Sequence, residues 1–207
     1  MLVGVIGASG RTGTELCRAL QASDHDVVAV VRDPARRTVG TARVRVADAR
    51  SADELSAALV GVDAVAWCVG PGRETAPDVM AASIRATVTA MKAAGVARLV
   101  AVTASGPFRA GDDPLTRYLA KPLVGLALRT VWLDVVAAER EIRDSGLDWT
   151  ILRPPRLQDG PARGRYRSRL ELNVPWGFHI RRADLAQAML AALVDPTHHR
   201  HIVSLAS

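Results

Sequence analysis

Three glycines at three-residue spacing carry the strongest chemical signal, in the run Gly7-Ala8-Ser9-Gly10-Arg11-Thr12-Gly13. The run directly follows an apolar stretch typical of a strand and opens a helical pattern. Glycine permits a tight turn and a close approach of the backbone to a pyrophosphate, and a helix N-terminus offers free N–H groups. The spacing is not the G-x-G-x-x-G fingerprint, but its strand–turn–helix context favours a nucleotide site over a plain turn. The predicted pyrophosphate-binding residues are Gly7, Ser9, Gly10, Arg11, Thr12 and Gly13.

The end of the second predicted strand carries arginines where NAD-preferring dehydrogenases place an acidic residue, about 20 residues beyond the glycines. Arg32 stands 19 residues after the last glycine, and Arg36 follows it. Arginine can bind a phosphate through two parallel hydrogen bonds, so this position favours a 2′-phosphate and hence NADP(H), with a solvated loop as the alternative. Asp48, after the third strand, is predicted to border the adenine. Gly70, after the fourth strand, would let the backbone pass close to the ribose or the second phosphate.

Short apolar runs alternate along the chain with amphipathic helical patterns. Such runs predict strands buried on both faces of a parallel sheet, and the alternation predicts βαβ units. We therefore expect an α/β fold, a single-domain Rossmann-like doubly wound parallel sheet over residues 1–207. The predicted strands are Leu2–Ile6, Val27–Val31, Ala42–Val46, Ala64–Cys68, Ala97–Thr103, Trp149–Arg153 and Ile202–Leu205, and the predicted helices lie near 12–23, 51–60, 76–94, 130–145 and 182–195.

Two segments interrupt this alternation. Residues 104–129 contain glycine–proline turns around an apolar stretch, which predicts an irregular excursion with a short broken helix. Residues 154–181 start with two prolines and continue as a polar, arginine-rich strand pair, in which alternating arginines from Arg163 to Arg169 predict a half-buried strand. Both excursions follow strands of the sheet, so we expect them at its carboxyl edge, where they would set substrate specificity.

The composition limits the class of protein. The 207 residues are 49% hydrophobic and 23% charged, which is a globular balance with room for a sizeable core. Only two of the 27 basic residues, Lys92 and Lys121, are lysines, and the net charge is +6. The arginines are spread along the chain and aromatics are only 4%, so we expect no nucleic-acid partner. No apolar run of transmembrane length occurs, so we expect a cytoplasmic protein without a membrane partner. The histidine-rich run at 198–201 resembles a metal tract but lies between the last predicted helix and the last predicted strand, so we interpret it as a polar loop and expect no metal site.

Five stretches together resemble a known family: GASGRTG, VVRDPAR, LVAVTASG, SGLDWTILRPPRL and IRRADLAQAML. They are similar to the atypical short-chain dehydrogenase/reductase family, in its small NAD(P)-binding branch of NmrA-like and biliverdin-IXβ (flavin) reductase-like proteins. The stretches run from residue 7 to residue 190, so the resemblance covers nearly the whole chain. It implies a Rossmann-like fold, NADP(H) as the cofactor, and reduction of a flavin, quinone or tetrapyrrole.

The chain departs from this family where catalysis is usually clearest. Short-chain reductases use a Tyr-x-x-x-Lys pair, in which the lysine lowers the pKa of the tyrosine. The helix predicted at 130–145 holds neither residue type, and Asp134 and Glu139 stand there instead. Tyr118 and Lys121 are one residue too close, with a proline next, so we interpret their proximity as a coincidence.

Three other residues are the candidates for contact with the substrate. By resemblance to the biliverdin-IXβ (flavin) reductases a serine would follow Thr103, but Ala104 stands there and the hydroxyl moves to Ser105. These hydroxyls would hold a substrate carbonyl or the nicotinamide amide, with a strand-end cap as the alternative. Arg156 replaces a histidine found in relatives; it would clamp an anionic substrate but is a poor proton donor.

These residues lead to a prediction of function with two alternatives. We expect an NADP(H)-dependent reductase that transfers a hydride to a small conjugated acceptor such as a flavin, a quinone or a polyketide-like aromatic. Such acceptors suit a chain without the Tyr/Lys pair, because they can take their proton from solvent. The alternatives are an NmrA-like dinucleotide-sensing regulator without turnover and a redox-neutral isomerase or dehydratase. The expected assembly is a monomer or a homodimer.

Overall fold

The computed structural model describes residues 1–35, 40, 42–72 and 77–207. A π-helical turn, Thr116–Ala120, and a 3₁₀ turn, Pro196–His198, accompany the regular elements. The strands are β1 (Leu2–Ile6), β2 (Asp26–Val31), β3 (Arg43–Val46), β4 (Ala64–Trp67), β5 (Arg98–Val102), β6 (Asp148–Arg153), β7 (Arg156–Gln158), β8 (Arg167–Leu170), β9 (His179–Arg181) and β10 (His201–Ala206). The helices are α1 (Arg11–Gln21), α2 (Ala52–Ala58), α3 (Val79–Ala93), α4 (Lys121–Ala127), α5 (Arg129–Arg143) and α6 (Arg182–Val194).

The main sheet has eight strands in the order β3-β2-β1-β4-β5-β6-β10-β8. All neighbours run parallel except β8, which pairs antiparallel with β10. The strand order reverses between β1 and β4, so the chain winds outward in both directions from the middle of the sheet. The prediction of a doubly wound parallel sheet is therefore confirmed.

Helices cover both faces of this sheet. Val3 and Val5 of β1 belong to the apolar cluster that also contains residues of α1 and α6. Ile6, at the end of the same strand, belongs to the cluster shared with α2, α3 and α5. The central strands β1, β4, β5 and β6 are buried on both faces, which is why their sequences are nearly continuous apolar runs.

The second excursion differs from its prediction. Strands β7 and β9 form a small parallel pair, whereas β8 leaves the excursion and joins the main sheet beside β10. The alternating arginines form a strand only at Arg167–Leu170, and three of its four residues are exposed rather than half of them buried. Strand β8 is exposed because it is the outermost strand of the sheet. Alternation of side chains predicts which residues share a face, but it does not predict which strand lies alongside.

The first excursion contains the broken helix that was predicted. The π-helical turn leads directly into α4, and α5 begins two residues after α4 ends. Helix α4 exposes apolar side chains, with Leu123 63% and Leu126 80% accessible. None of the helices in the described ranges is long and apolar enough to cross a membrane.

Candidate functional site

A cleft lies where the strand order reverses, between β1 and β4. The chain leaves β1 for α1 on one face of the sheet and goes on from β4 to α3 on the other, so the strand ends diverge there. The cleft has a first cavity of about 320 Å³ and a second cavity of about 200 Å³. Cys68, Val69 and Gly70 line both, so the two cavities adjoin beside the end of β4.

The loop between β1 and α1 is shaped by the lack of side chains. Gly7 has a φ of +80°, and a Cβ added there would lie 3.0 Å from the carbonyl oxygen of Cys68. A Cβ on Gly13 would lie 2.3 Å from the carbonyl oxygen of Gly7, which no real Cβ could tolerate. The N–H of Gly10 donates to that same oxygen at 2.9 Å. Glycine thus lets the loop fold tightly against α1, and Gly7, Ser9 and Gly10 line the first cavity.

The N-terminus of α1 is open, unlike those of the next two helices. No side chain among the described residues caps α1 at Gly10, and the first turn of this helix contains no acidic residue. By contrast, the Ser51 hydroxyl accepts from the Glu54 N–H at the start of α2. The buried Asp134 carboxylate accepts from the N–H groups of Met80 and Ala81 at the start of α3, at 2.9 and 2.8 Å. Within the part of the chain that the structure describes, the first-turn N–H groups of α1 thus remain available for an anion, and a pyrophosphate fits this uncapped, glycine-lined end.

The remaining residues of the predicted loop separate into two groups. Thr12 lines the second cavity. Arg11 lines neither cavity, and its guanidinium points outward to Asp159 of the second excursion at 3.4 Å. Both side chains of that ion pair are largely exposed, so the contact is weak and reversible.

Charged residues form the outer rim of the first cavity. Arg32, Asp33, Asp48 and Arg50 line it, and the Arg32 side chain is exposed. Arg36 lies outside the described residues. The Asp48 carboxylate bonds to Arg50 Nη2 at 3.2 Å, and this hydrogen bond is the main cause that holds the pKa of Asp48 below its usual range. Asp48 is therefore an anion already paired with a cation, and Arg32 stands beside this pair at the rim.

The second cavity is mostly apolar. Among the described residues, only Thr12, Cys68 and Thr103 line it with polar side-chain atoms. Burial raises the pKa of the Cys68 thiol far above its usual range, so this group stays neutral. Other lining residues are Val69, Met80, Val102, Val131, Val135 and Leu157.

Thr103 reaches this cavity as part of a buried ionic cluster. Its hydroxyl donates to Glu139 Oε1 at 2.7 Å. The Glu139 side chain is 1% exposed and also accepts hydrogen bonds from Arg153 and Arg143. The Arg153 guanidinium carbon lies 3.4 Å from the centre of the Phe108 ring, which holds the arginine from its other side.

Sequence reasoning noted Glu139 without finding its role. The available signal was its position: it falls on the apolar face of α5, between Val135 and Ile142, both buried. A carboxylate on such a face needs a partner, because an unpaired buried charge is costly. Arg143 lies one helical turn away on α5, a spacing that the helical pattern does indicate. Arg153 on β6 and Thr103 after β5 lie at sequence distances that it does not indicate.

Two candidate substrate residues lie away from the second cavity. Ser105 lines a separate cavity of about 30 Å³, and its carbonyl oxygen accepts from Lys121 Nζ at 3.0 Å. Arg156 is exposed on β7, opposite His179, and lines neither part of the cleft. The structure thus brings Thr103 to the cleft, whereas Ser105 and Arg156 remain predictions that need a rearrangement of the excursions to reach it.

Tyr118 and Lys121 point in different directions. The Tyr118 side chain is 72% exposed, whereas Lys121 is buried and its ammonium lies 2.7 Å from Asp112 Oδ2. Burial lowers the pKa of Lys121 although Asp112 opposes the shift. Lys121 therefore ties the first excursion together and lies in the wall of the small cavity, outside the main cleft.

A doubly wound parallel sheet with an open, glycine-lined helix N-terminus at its switch point defines a dinucleotide-binding protein of the Rossmann class. More specifically, the chain belongs to the NAD(P)H-binding family, whose model matches residues 7–196.

Individual relatives agree with this family. The chain is 31% identical to the NAD(P)H azoreductase of Xenophilus azovorans, over 94% of this chain and 64% of that protein. Among solved structures, it is similar to ChuY, an anaerobilin reductase from Escherichia coli, with a TM-score of 0.82, 24% identity and coverage of 100% and 97%. A short-chain dehydrogenase/reductase from Veillonella parvula in complex with NADP has a TM-score of 0.81 at 18% identity, with coverage of 100% and 94%. These comparisons agree with the NAD(P)H-binding family and with its fold.

Proposed function

We propose that this protein is an NADP(H)-dependent reductase that transfers a hydride to a conjugated small-molecule acceptor such as a flavin, a quinone or a polyketide-like aromatic. The observation that carries the proposal is the character of the second cavity. Its described lining is apolar apart from two hydroxyls and a neutral thiol, none of which is a general acid near neutral pH. A bound nicotinamide would supply the hydride, and the chain would supply binding and orientation of the two rings.

The absence of an acid among the described lining residues favours acceptors that need none. Hydride addition to an isolated ketone produces a basic alkoxide, which is why short-chain reductases place a proton donor beside it. Hydride addition to a conjugated ring spreads the negative charge over the ring, and water can deliver the proton afterwards. Holding the two flat rings together in an apolar cavity is then the main task of the protein.

The first cavity would hold the rest of the dinucleotide. We assign the N–H groups at the start of α1 and the loop glycines to the pyrophosphate, and Gly70 to the backbone passage between the two cavities. We assign Arg32 to the 2′-phosphate. The nearby Asp48 carboxylate already pairs with Arg50, so the Arg32 guanidinium is left for the phosphate. A 2′-phosphate would add negative charge beside an exposed guanidinium, which supports NADP(H) over NAD(H).

The name of one relative supports the same class of reaction. The Xenophilus azovorans protein is called an NAD(P)H azoreductase, and an azo dye is a conjugated acceptor. We extend that property to this chain as part of the proposal.

Oxidation of NADPH, followed by its absorbance, tests the proposal against a panel of FMN, riboflavin, a naphthoquinone and an azo dye. We expect at least one acceptor to oxidise NADPH catalytically. Tight NADPH binding without oxidation by any of them would favour the sensing alternative. Conversion of a substrate without net NADPH consumption would favour the redox-neutral alternative.

A matched pair of variants on α5 locates the reaction. Val131 is half-buried and lines the second cavity, whereas Leu133 is exposed on the same helix. We expect Val131→Gln to lower kcat/KM for the acceptor about tenfold by placing a polar group in an apolar pocket. Leu133→Gln should leave it unchanged. Equal effects of the two substitutions would place the reaction elsewhere.

A further inference from the structure

The hydroxyl of Thr103 has a fixed hydrogen-bond direction. It lies 2.7 Å from Glu139 Oε1, and the Glu139 carboxylate stands between two guanidinium groups. A carboxylate with two cationic neighbours is ionised and can only accept hydrogen bonds. The Thr103 proton must therefore point at Glu139, which leaves Thr103 with oxygen lone pairs but no proton for any other partner.

Two backbone N–H groups beside the Thr103 hydroxyl also have hydrogen-bond partners within the protein. The N–H of Thr103 donates to the Leu152 carbonyl oxygen, and the N–H of Ser105 donates to the Pro154 carbonyl oxygen, both at 2.9 Å. At this point of the second cavity, neither the Thr103 hydroxyl nor these two N–H groups can serve an incoming carbonyl. Glu139 itself is sealed from the cleft, since its side chain is only 1% exposed.

We propose that Glu139 is a positioning residue that turns Thr103 into a hydrogen-bond acceptor, and that this acceptor selects the carboxamide N–H of the nicotinamide over a substrate carbonyl. The inference rests on the proposed function only in placing the nicotinamide in the second cavity. It corrects the wider expectation that Thr103 holds either group, because a carbonyl oxygen would need a donor that Thr103 does not have. Arg153, paired with Glu139 and stacked on Phe108, keeps the carboxylate in place.

The probe is the 3-acetylpyridine analogue of NADP⁺, in which a methyl group replaces the amide nitrogen while the carbonyl is kept. We define the preference as the dissociation constant of the analogue divided by that of NADP⁺, both measured by calorimetric titration of the full chain. Wild-type protein should prefer NADP⁺ by about fivefold, the contribution of one hydrogen bond between uncharged groups.

Four variants test separately the contact of Thr103 with the carboxamide and the orientation of Thr103 by Glu139. Thr103→Val removes the acceptor at nearly constant shape and should reduce the preference to about one, whereas Thr103→Ser should keep it. Glu139→Gln and Glu139→Asp should both reduce the preference while Thr103 remains, the first because an amide can donate to the hydroxyl and the second because it is too short to reach it. Glu139→Asp keeps the negative charge between the arginines, so it carries the test if Glu139→Gln does not fold.

The outcomes are distinct. A preference that survives Thr103→Val would overturn the contact with the carboxamide. Loss of the preference in Thr103→Val together with its retention in Glu139→Asp and Glu139→Gln would overturn the positioning role of Glu139. If wild-type protein binds neither dinucleotide, the proposed function itself fails, whereas binding with the expected preference but no NADPH oxidation would remove only the reductase activity.

Discussion

The first and second cavities adjoin at Cys68, Val69 and Gly70, yet they differ in the part of the chain that forms them. The end of the first cavity that we assign to the phosphates is backbone: glycines from one seven-residue loop and the open start of α1. The second cavity is made of side chains from α1, β5, α3, α5 and both excursion regions. The orientation of its polar residue Thr103 depends on Glu139 and Arg153, which lie 36 residues and a further 14 residues along the chain.

This difference suggests that the first cavity recognises dinucleotides in general and that the second cavity recognises a particular ring. A backbone loop recognises what all dinucleotides share, so it needs only space and N–H groups. A cavity of side chains recognises a particular ring, and it depends on the folding of distant segments around a buried charge. Substitutions should therefore have different consequences in the two cavities, and the four predictions below use that contrast.

The largest effect is expected in the buried cluster of the second cavity. Glu139→Ala leaves Arg153 and Arg143 without their carboxylate, and breaking such a buried pair costs about 3–5 kcal/mol of unfolding free energy. The control is Glu141→Ala on the same helix, whose partner Arg85 is exposed, with an expected loss of no more than about 1 kcal/mol. Denaturant unfolding measures both. Similar losses for the two variants would mean that the cluster does not stabilise the fold as described.

A smaller effect is expected in the glycine loop. Gly13→Ala forces the loop away from α1, because its Cβ would lie 2.3 Å from the Gly7 carbonyl oxygen, and overpacking of this kind costs about 2 kcal/mol. Gly10→Ala, with the same contact at 3.1 Å, should cost less than half as much. NADP⁺ titration should show weaker binding for both, and the greater loss in Gly13→Ala. An unfolding free energy of Gly13→Ala equal to that of wild type would contradict the geometry of the loop.

At the rim of the first cavity, we expect a substitution to change the affinity for the cofactor without destabilising the fold. Arg32→Ala should weaken NADP⁺ binding about tenfold while NAD⁺ binding changes little, because one charge-assisted contact to the 2′-phosphate is lost. Arg18→Ala removes another exposed arginine, one bonded to Glu15 on α1, and should change neither affinity. A parallel loss for NADP⁺ and NAD⁺ in Arg32→Ala would argue against cofactor selection by this residue.

The smallest effect is expected where the two regions touch. The Asp159 carboxylate of the second excursion accepts from Arg11 through an exposed ion pair, which holds the Arg11 guanidinium away from the start of α1, and it also accepts from the mostly buried Arg182. Asp159→Asn should tighten NADP⁺ binding by no more than about threefold, since exposed pairs contribute at most about 1 kcal/mol. Asp144→Asn, which breaks only an exposed pair with Arg140 on α5, is the control for the loss of an exposed pair. Weaker binding in Asp159→Asn would indicate that this contact supports the cofactor site rather than competes with it.

The sequence was sufficient to predict the central architecture. Leu2–Ile6 was predicted with the bounds of β1, because a strand buried on both faces is a continuous apolar run. The first helix was predicted within two residues of Arg11–Gln21, since a glycine loop marks its start. The neighbour of β8 was not predictable, because alternation along Arg167–Leu170 contains no information about the strand beside it.

The site was predictable only where it is local. Gly7, Ser9 and Gly10 came from one motif, and they line the first cavity together. The pairing of Thr103 with Glu139 depends on how α5 packs beside β5, which no short pattern contains. The same limit applies to Asp134, whose role as a cap for α3 joins segments more than 50 residues apart.

Hydride transfer from the second cavity is the central claim, and a single-turnover experiment with stereospecifically deuterated NADPH tests it most directly. The protein is mixed anaerobically with a flavin or quinone acceptor and with NADPH that carries deuterium on one or the other face of nicotinamide C4. Because the cavity would hold the ring in one orientation, we predict that NADPH is oxidised and that only one of the two deuterated forms reacts more slowly. Tight binding without oxidation, or oxidation with equal rates for both forms, would contradict the account.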